Sequence, residues 1–285
     1  VSGLCLKSGN AVILRGSSYC LDSNIAILEV LQNSLSLNNC NKNIFQIIES
    51  KDRQDTIEFM NLTEFVDLIV PRGGKGLIQT LVDNSKVPFI LDGDGNVHLY
   101  IHQDAKKEHI IDIVINSKVQ RPGVCNALET LLINSQIYQD MGSLIIEKLL
   151  ENEVELFVDE TIKEDFPNLN LANESHYETE FLDLKLAIKV VDSVNQAIEH
   201  IKVYSSGHTE AILTESKEVA DTFAKSIDSS VIFINSSTRF TDGEMFGFGS
   251  EIGISTQKLH VRGPMGLEAL TNERYVVTGE GTVRG

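Results

Sequence analysis

Gln120-Arg121-Pro122-Gly123-Val124-Cys125-Asn126-Ala127-Leu128-Glu129-Thr130-Leu131-Leu132 is the stretch on which the reading of this chain turns. Pro122 and Gly123 bar a regular helix upstream of the cysteine. Downstream, Ala127, Leu128, Glu129, Leu131 and Leu132 are strong helix formers with an apolar i, i+3, i+4 face. The spacing predicts a helix over 126–133 with Cys125 at its N-terminus. First-turn N–H groups, which have no intrahelical partner, would then face the sulfur and favour the thiolate, its reactive form. A helix dipole contributes only about 0.3–1 kcal/mol, less than one pKa unit at about 1.36 kcal/mol each, so a nucleophilic Cys125 requires a further partner. The same residues also fit an ordinary buried thiol, because free cysteine packs as a small hydrophobe.

Outward from this stretch, short apolar runs alternate with amphipathic segments, the pattern of an α/β fold with a largely parallel sheet. Strands are predicted at 11–15, 44–48, 66–70, 87–91, 97–101, 154–158, 186–191 and 231–235, and helices at 24–36, 74–84, 105–118, 126–133, 140–151, 192–202 and 215–226. The opening residues 2–8 read as a helix that Gly9-Asn10 terminates. The glycine-rich stretch from Asn235 to Gly266 departs from the α/β rhythm and is expected to be an ordered but mobile loop region.

Composition narrows the function classes. The 285 residues are 42% hydrophobic, enough for a large core in one or two domains. A formal net charge of -17, from 41 acids and 24 bases, repels a phosphate backbone, so no nucleic-acid partner is expected. Any phosphate ligand needs a local cluster of cations. Cys5, Cys20, Cys40 and Cys125 are sparse and show no CxxC spacing, which fits a reducing, cytoplasmic location. No membrane association is expected, since no apolar run reaches the length of a span and no leader pattern opens the chain. The seven histidines lack metal-ligand spacing, and no metal is expected.

After the strand predicted at 66–70 comes Pro71-Arg72-Gly73-Gly74-Lys75-Gly76, a glycine-rich strand-to-helix turn whose N–H groups can approach a phosphate. It matches neither GxGxxG nor a P-loop, and on spacing alone a tight turn with two exposed cations is the simpler reading. Arg15-Gly16-Ser17-Ser18 follows another predicted strand. Ligands of open α/β sheets bind beyond the carboxyl ends of strands, so the two segments together suggest a phosphate-bearing cofactor.

Six collinear motifs then carry a specific resemblance: CLKSGNAVILRG (5–16), LIVPRGGKGLIQ (68–79), GDGN followed by His98 (93–98), RPGVCNALETLL (121–132), SSGHTEAI (205–212) and STRFTDGEMFGFGSEIGISTQKLHVRGPMGLEAL (237–270). Over essentially its whole length the chain resembles the γ-glutamyl phosphate reductases, of the aldehyde dehydrogenase superfamily. The resemblance implies a Rossmann-type cofactor domain, N-terminally incomplete here, an α/β catalytic domain, and a C-terminal oligomerisation strand. It implies a cytoplasmic enzyme of proline biosynthesis that uses NADPH to convert L-glutamyl 5-phosphate to glutamate 5-semialdehyde and phosphate through a thioester on Cys125.

Further roles follow from the same resemblance. Arg15, Gly16, Gly73, Gly74 and Lys75 are expected at the cofactor phosphates and Glu180 at the nicotinamide ribose; Asn96, Asn126, Ser237, Thr238 and Arg239 are expected at the substrate. The resemblance aligns the water-activating glutamate of superfamily hydrolases with Leu91-Asp92-Gly93-Asp94-Gly95-Asn96 of this chain, which holds no glutamate and so suits a reductase; Asp92 and Asp94 read as turn residues. Lys258, His260 and Arg262 alternate at strand period and are candidates to attract a carboxylate or phosphate. Domains are expected at 1–97 (cofactor), 98–256 (catalytic) and 257–285, the last ending in the β-prone Arg274-Tyr275-Val276-Val277-Thr278 of a subunit interface. A homodimer or higher homo-oligomer is therefore expected, with glutamate 5-kinase as a further associate. Relatives carry a portion ahead of the segment matching Val1, and Ser17, Tyr19, Cys20 and Val97 depart from the family pattern. A catalytically silent or truncated aldehyde-dehydrogenase-like subunit, and the reductase half of a bifunctional pyrroline-5-carboxylate synthase, are the alternative readings.

Overall fold

The run after Cys125 is a strand, and its burial explains why. In the computed structural model, which describes residues 1–91 and 93–285 and Lys75 through its backbone alone, all seven residues of Leu128–Asn134 are buried. The chain runs α1 (Ser2–Ser8), β1 (Val12–Leu14), α2 (Leu21–Leu37), β2 (Phe45–Ile47), α3 (Arg53–Phe59), α4 (Lys75–Asn84), β3 (Val97–Ile101), α5 (Lys107–Val119), β4 (Leu128–Asn134), α6 (Ser135–Glu151) and β5 (Glu155–Val158). It continues α7 (Glu160–Asp165), β6 (Asn170–Leu171), α8 (Glu174–Glu178), β7 (Lys185–Val191), α9 (Val194–Tyr204), β8 (Thr209–Leu213), α10 (Lys217–Ser226), β9 (Val231–Ile234), β10 (Ile254–Ser255) and β11 (Gly263–Pro264).

β3 to β9 form one sheet in the order β6-β5-β7-β4-β3-β8-β9, parallel at every pairing. A parallel sheet covered on both faces needs strands that are apolar throughout. Alternate residues accordingly enter opposite cores. Leu99, Ile101, Leu131, Ile133, Ala211 and Leu213 meet Ile110 and Val114 of α5 and Ile145, Ile146 and Leu149 of α6. Tyr100, Leu132 and Ile212 meet Ile198 and Ile201 of α9 and Phe223 of α10 on the other side. The helix predicted over 126–133 is thus corrected to β4. A surface helix buries one stripe, whereas this position, between β3 and β7, demands burial on both sides.

The N-terminal part is thinner. β1 and β2 pair in parallel, and Leu28 and Leu35 of α2 pack on Phe45. The strands predicted at 66–70 and 87–91 shrink to a single parallel bridge, Ile69 with Phe89. α1 ends as predicted at Gly9, whose φ of 80° suits glycine. The glycine-rich stretch after Asn235 carries the antiparallel pair β10 and β11, which buries Ile252 and Met265 against Ile90. Arg274–Thr278 forms no strand within the chain, and Tyr275, Val276 and Val277 are exposed. No helix among the described residues is long and apolar enough to cross a membrane.

Candidate active site

Cys125 lies in the turn immediately ahead of β4, so the expected helix N-terminus is absent from it. Gly95 packs on that turn so closely that a Cβ added there would meet the Cys125 carbonyl oxygen at 1.8 Å and its Cα at 2.5 Å, a distance open only to glycine. The Gly95 N–H donates to Glu180 Oε1 at 2.7 Å. The glycine-rich turn before β3 and the loop before β7 are thereby joined at the cysteine.

The surroundings oppose ionisation of the resting thiol. Burial, then the carboxylates of Glu180 and Glu251, push the Cys125 thiol up to about 11, against a smaller lowering by Arg72. The expected activation by a helix dipole is therefore replaced by the reverse effect. Glu251, which sequence reasoning passed over, donates nothing; its Oε2 accepts the Gly243 N–H at 2.7 Å, and burial raises its carboxyl above the usual range. It lies within the 237–270 motif, but nothing in the spacing of that motif marks this acid as a neighbour of the cysteine.

The second wall of the turn is the 237–241 loop. Thr238 Oγ1 donates to the Asn126 carbonyl at 2.7 Å, and Asn126 Nδ2 donates to the Thr241 carbonyl at 2.8 Å. Ser237 Oγ accepts from Ser117 Oγ and from the Arg239 N–H, each at 3.2 Å. Arg239 Nε donates to Gln120 Oε1 at 2.8 Å, and Arg121 and Cys125 both act on its charge. The structure therefore brings Cys125, Asn126, Glu180, Ser237, Thr238 and Arg239 together. Asn96 sits beside them, its Nδ2 donating to the carbonyls of Tyr177 and Tyr204 at 2.7 and 2.8 Å. The Oδ1 atoms of Asn96 and Asn126 are buried without a partner among the described residues.

The residues expected at the cofactor phosphates are in the N-terminal part, whereas Glu180 is at the cysteine. Arg15 and Gly16 follow β1 directly. Gly73 and Gly74 lead into α4, whose N-cap Gly74 supplies no side-chain cap, and a Cβ at Gly74 would enter open space. The Leu77 N–H is bonded to the Gly74 carbonyl at 2.9 Å, and the N–H groups of the helix ahead of it face outward from the turn, so these residues fit a phosphate-bearing cofactor. The Lys75 side chain and Asp92 lie outside the described residues. Lys258 and Arg262 form ion pairs with Asp228, in a segment without strand structure, which corrects their reading as a strand face awaiting an anion. Among the described residues, no cluster of histidine, cysteine and acidic side chains is arranged to hold a metal ion.

No family model matches the chain. It is 49% identical over 283 residues to the γ-glutamyl phosphate reductase of Thermoanaerobacter pseudethanolicus, covering 99% of this chain and 68% of that protein. The crystal structure of γ-glutamyl phosphate reductase from Thermotoga maritima superposes with a TM-score of 0.96 at 45% identity, covering 99% of this chain and 68% of that one. An acetylating aldehyde dehydrogenase from Geobacillus thermoglucosidasius shares the fold, with a TM-score of 0.75 at 17% identity over 99% of this chain and 72% of that one. By its sequence, its seven-stranded parallel sheet and its aldehyde-dehydrogenase-like architecture, the chain belongs to the γ-glutamyl phosphate reductase family, oxidoreductases of proline biosynthesis.

Proposed function

We propose that this chain reduces L-glutamyl 5-phosphate to L-glutamate 5-semialdehyde with release of phosphate, Cys125 serving as nucleophile and NADPH as reductant. The observation that carries the reading is the Cys125 turn itself, pinned by Gly95 and flanked by Glu180, Glu251, Arg72 and Arg239. The charges of Glu180 and Glu251 bear on the thiol, which supports one of these carboxylates as the acceptor of its proton when the substrate docks. The sulfur bonds to the acyl carbon, the bond from that carbon to the phosphate oxygen breaks, and phosphate leaves a thioester. Arg239 and Arg72 offer charge to the departing phosphate or the substrate carboxylate. Asn96, Asn126, Ser237 and Thr238 shape the pocket, largely by fixing one another. When bound, NADPH supplies a hydride to the thioester carbonyl carbon. Breaking the carbon–sulfur bond then frees the aldehyde and returns the thiolate.

Arg15, Gly16, Gly73, Gly74 and Lys75 would hold the cofactor phosphates and Glu180 the nicotinamide ribose. In this reading residues 1–97 form the cofactor part, 98–256 the catalytic part, and 257–285 close the site and reach a second copy. The exposed Tyr275, Val276 and Val277 support pairing of that tail across a homo-oligomer interface.

The test is the reverse reaction, with NADP⁺, phosphate and glutamate 5-semialdehyde, followed by nicotinamide absorbance beside Cys125→Ala. Phosphate-dependent turnover that the variant loses by at least about 10³-fold is expected. Equal turnover by the variant would remove Cys125 from the chemistry, and a folded parent without turnover would overturn the proposed reaction.

A further inference from the structure

Lys118 Nζ donates to Glu129 Oε2 at 2.8 Å with both side chains fully buried. A buried ion pair is a poor source of stability, because the desolvation of both charges offsets their attraction, and apolar residues of similar size often replace one without loss. This pair has a second connection. Glu129 Oε1 accepts the N–H of Leu182 at 3.2 Å, and Leu182 holds a left-handed φ of 54°, a conformation that costs a leucine roughly 1–2 kcal/mol. Two residues earlier, Glu180 accepts the Gly95 N–H against the Cys125 turn.

The sheet itself aims Glu129 at this loop. Val97 of β3 faces Leu128, but His98 faces Thr130, so Glu129 is the extra residue of a register shift. Such irregularities redirect a side chain out of the ladder. Ser117, next to Lys118 at the end of α5, braces the opposite wall by accepting the Thr238 N–H at 3.3 Å.

We infer that Lys118 and Glu129 are positioning residues, a buried pair that anchors the 180–182 loop and so sets the Glu180 carboxylate against Cys125. The inference deepens the proposed function and rests on it only in taking Cys125 and Glu180 as parts of one site.

The test reads the thiol without substrate or cofactor. Two double variants are compared with the parent after circular dichroism establishes their folding. K118M/E129Q keeps an oxygen for the Leu182 N–H, and K118M/E129L removes it. The rate of Cys125 alkylation by iodoacetamide is followed at pH 8 by peptide mass spectrometry, which separates it from Cys5, Cys20 and Cys40. Glu180, Glu251, Arg72 and Arg239 are the charged groups acting with the thiol, and all remain in both variants. The glutamine variant is expected to react like the parent. The leucine variant is expected to react about tenfold faster, the effect of about one pKa unit as the Glu180 charge withdraws. Adding Glu180→Gln to both is expected to erase the difference. Equal rates for the two doubles, or a difference that survives in the E180Q background, would overturn the inference. Amide exchange at Leu182 in the parent, which needs no variant, gives a second measure: protection at the level of the β4 amides is expected, and exchange at the unprotected rate would overturn it. Loss of turnover with this alkylation pattern intact would sink the proposed reaction and leave the anchor standing.

Discussion

β1–β2 and β3–β4 are both parallel pairs flanked by amphipathic helices, yet they end in different environments. β1 and β2 have three residues each and one buried position between them, Phe45, whereas β3 and β4 are buried along their whole length. On α2, Ile27, Val30 and Leu37 stay 60, 68 and 84% exposed. The difference teaches that periodicity decides which face of an element can be buried, while the number of layers around it decides whether it is. Few buried contacts also mean low local stability, so residues 1–91 are expected to open before the sheet does.

The largest expected effect separates the two regions by a core truncation. Leu131→Ala, at a fully buried position of β4, should cost about 2–5 kcal/mol and lower the unfolding midpoint of the whole seven-stranded sheet. Leu28→Ala, in the small cluster on Phe45, should speed amide exchange within 1–91 and leave the sheet amides protected. Guanidinium unfolding read by hydrogen exchange and mass spectrometry distinguishes these outcomes; a single transition shifted equally by both would make the two regions one cooperative unit.

Acid sharpens the same contrast, because every histidine of the chain lies at position 98 or later. Burial holds His200 down at about 3 and His208 at about 4, so the folded sheet keeps both neutral while the unfolded chain protonates them near the ordinary value. Stability is full above about pH 6.5 and falls as pH drops toward the folded values, by about 5 kcal/mol for His200 and about 3 kcal/mol for His208. Thermal melts of His200→Phe between pH 7 and pH 4 should show a flatter acid limb than the parent. An unchanged limb would assign acid sensitivity to the carboxylates instead.

The smallest of the three contrasts concerns two glycines. A Cβ at Gly95 meets the Cys125 backbone, and a Cβ at Gly16 meets Asn24 Nδ2, the end of a mobile side chain, at 2.1 Å. Gly95→Ala should cost about 1–3 kcal/mol through forced backbone movement and abolish turnover, while Gly16→Ala should alter melting by less than about 0.5 kcal/mol. Paired melting curves and assays test this, and equal costs at the two positions would refute the backbone argument.

Much of this fold was legible in the chain itself. The strands expected at 97–101, 154–158, 186–191 and 231–235 appear within a residue of those bounds, because short apolar runs between helical patterns have few other uses. The misreading at 126–133 came from intrinsic preference: Ala127, Leu128, Glu129, Leu131 and Leu132 are helix formers, and only the neighbouring strands reveal that both faces must be covered. β8 escapes the pattern because Thr209–Leu213 holds just two strongly apolar residues, Ile212 and Leu213. At the site, Cys125 and Glu180 stood out through the family motifs. Gly95 as a contact surface, Glu251 as a charge and the Glu129–Leu182 anchor arise from chain segments tens of residues apart or more, which no local spacing encodes.

The placement of Cys125 on a turn, beneath two carboxylates, also bears on how long the enzyme lasts between turnovers. Peroxide attacks thiolates and largely spares thiols, and burial with the Glu180 and Glu251 charges pushes the Cys125 thiol up to about 11, which disfavours the thiolate at neutrality. If Cys125 is the nucleophile proposed above, the idle molecule is expected to resist oxidation at this sulfur and to become vulnerable only while a docked substrate draws the proton away.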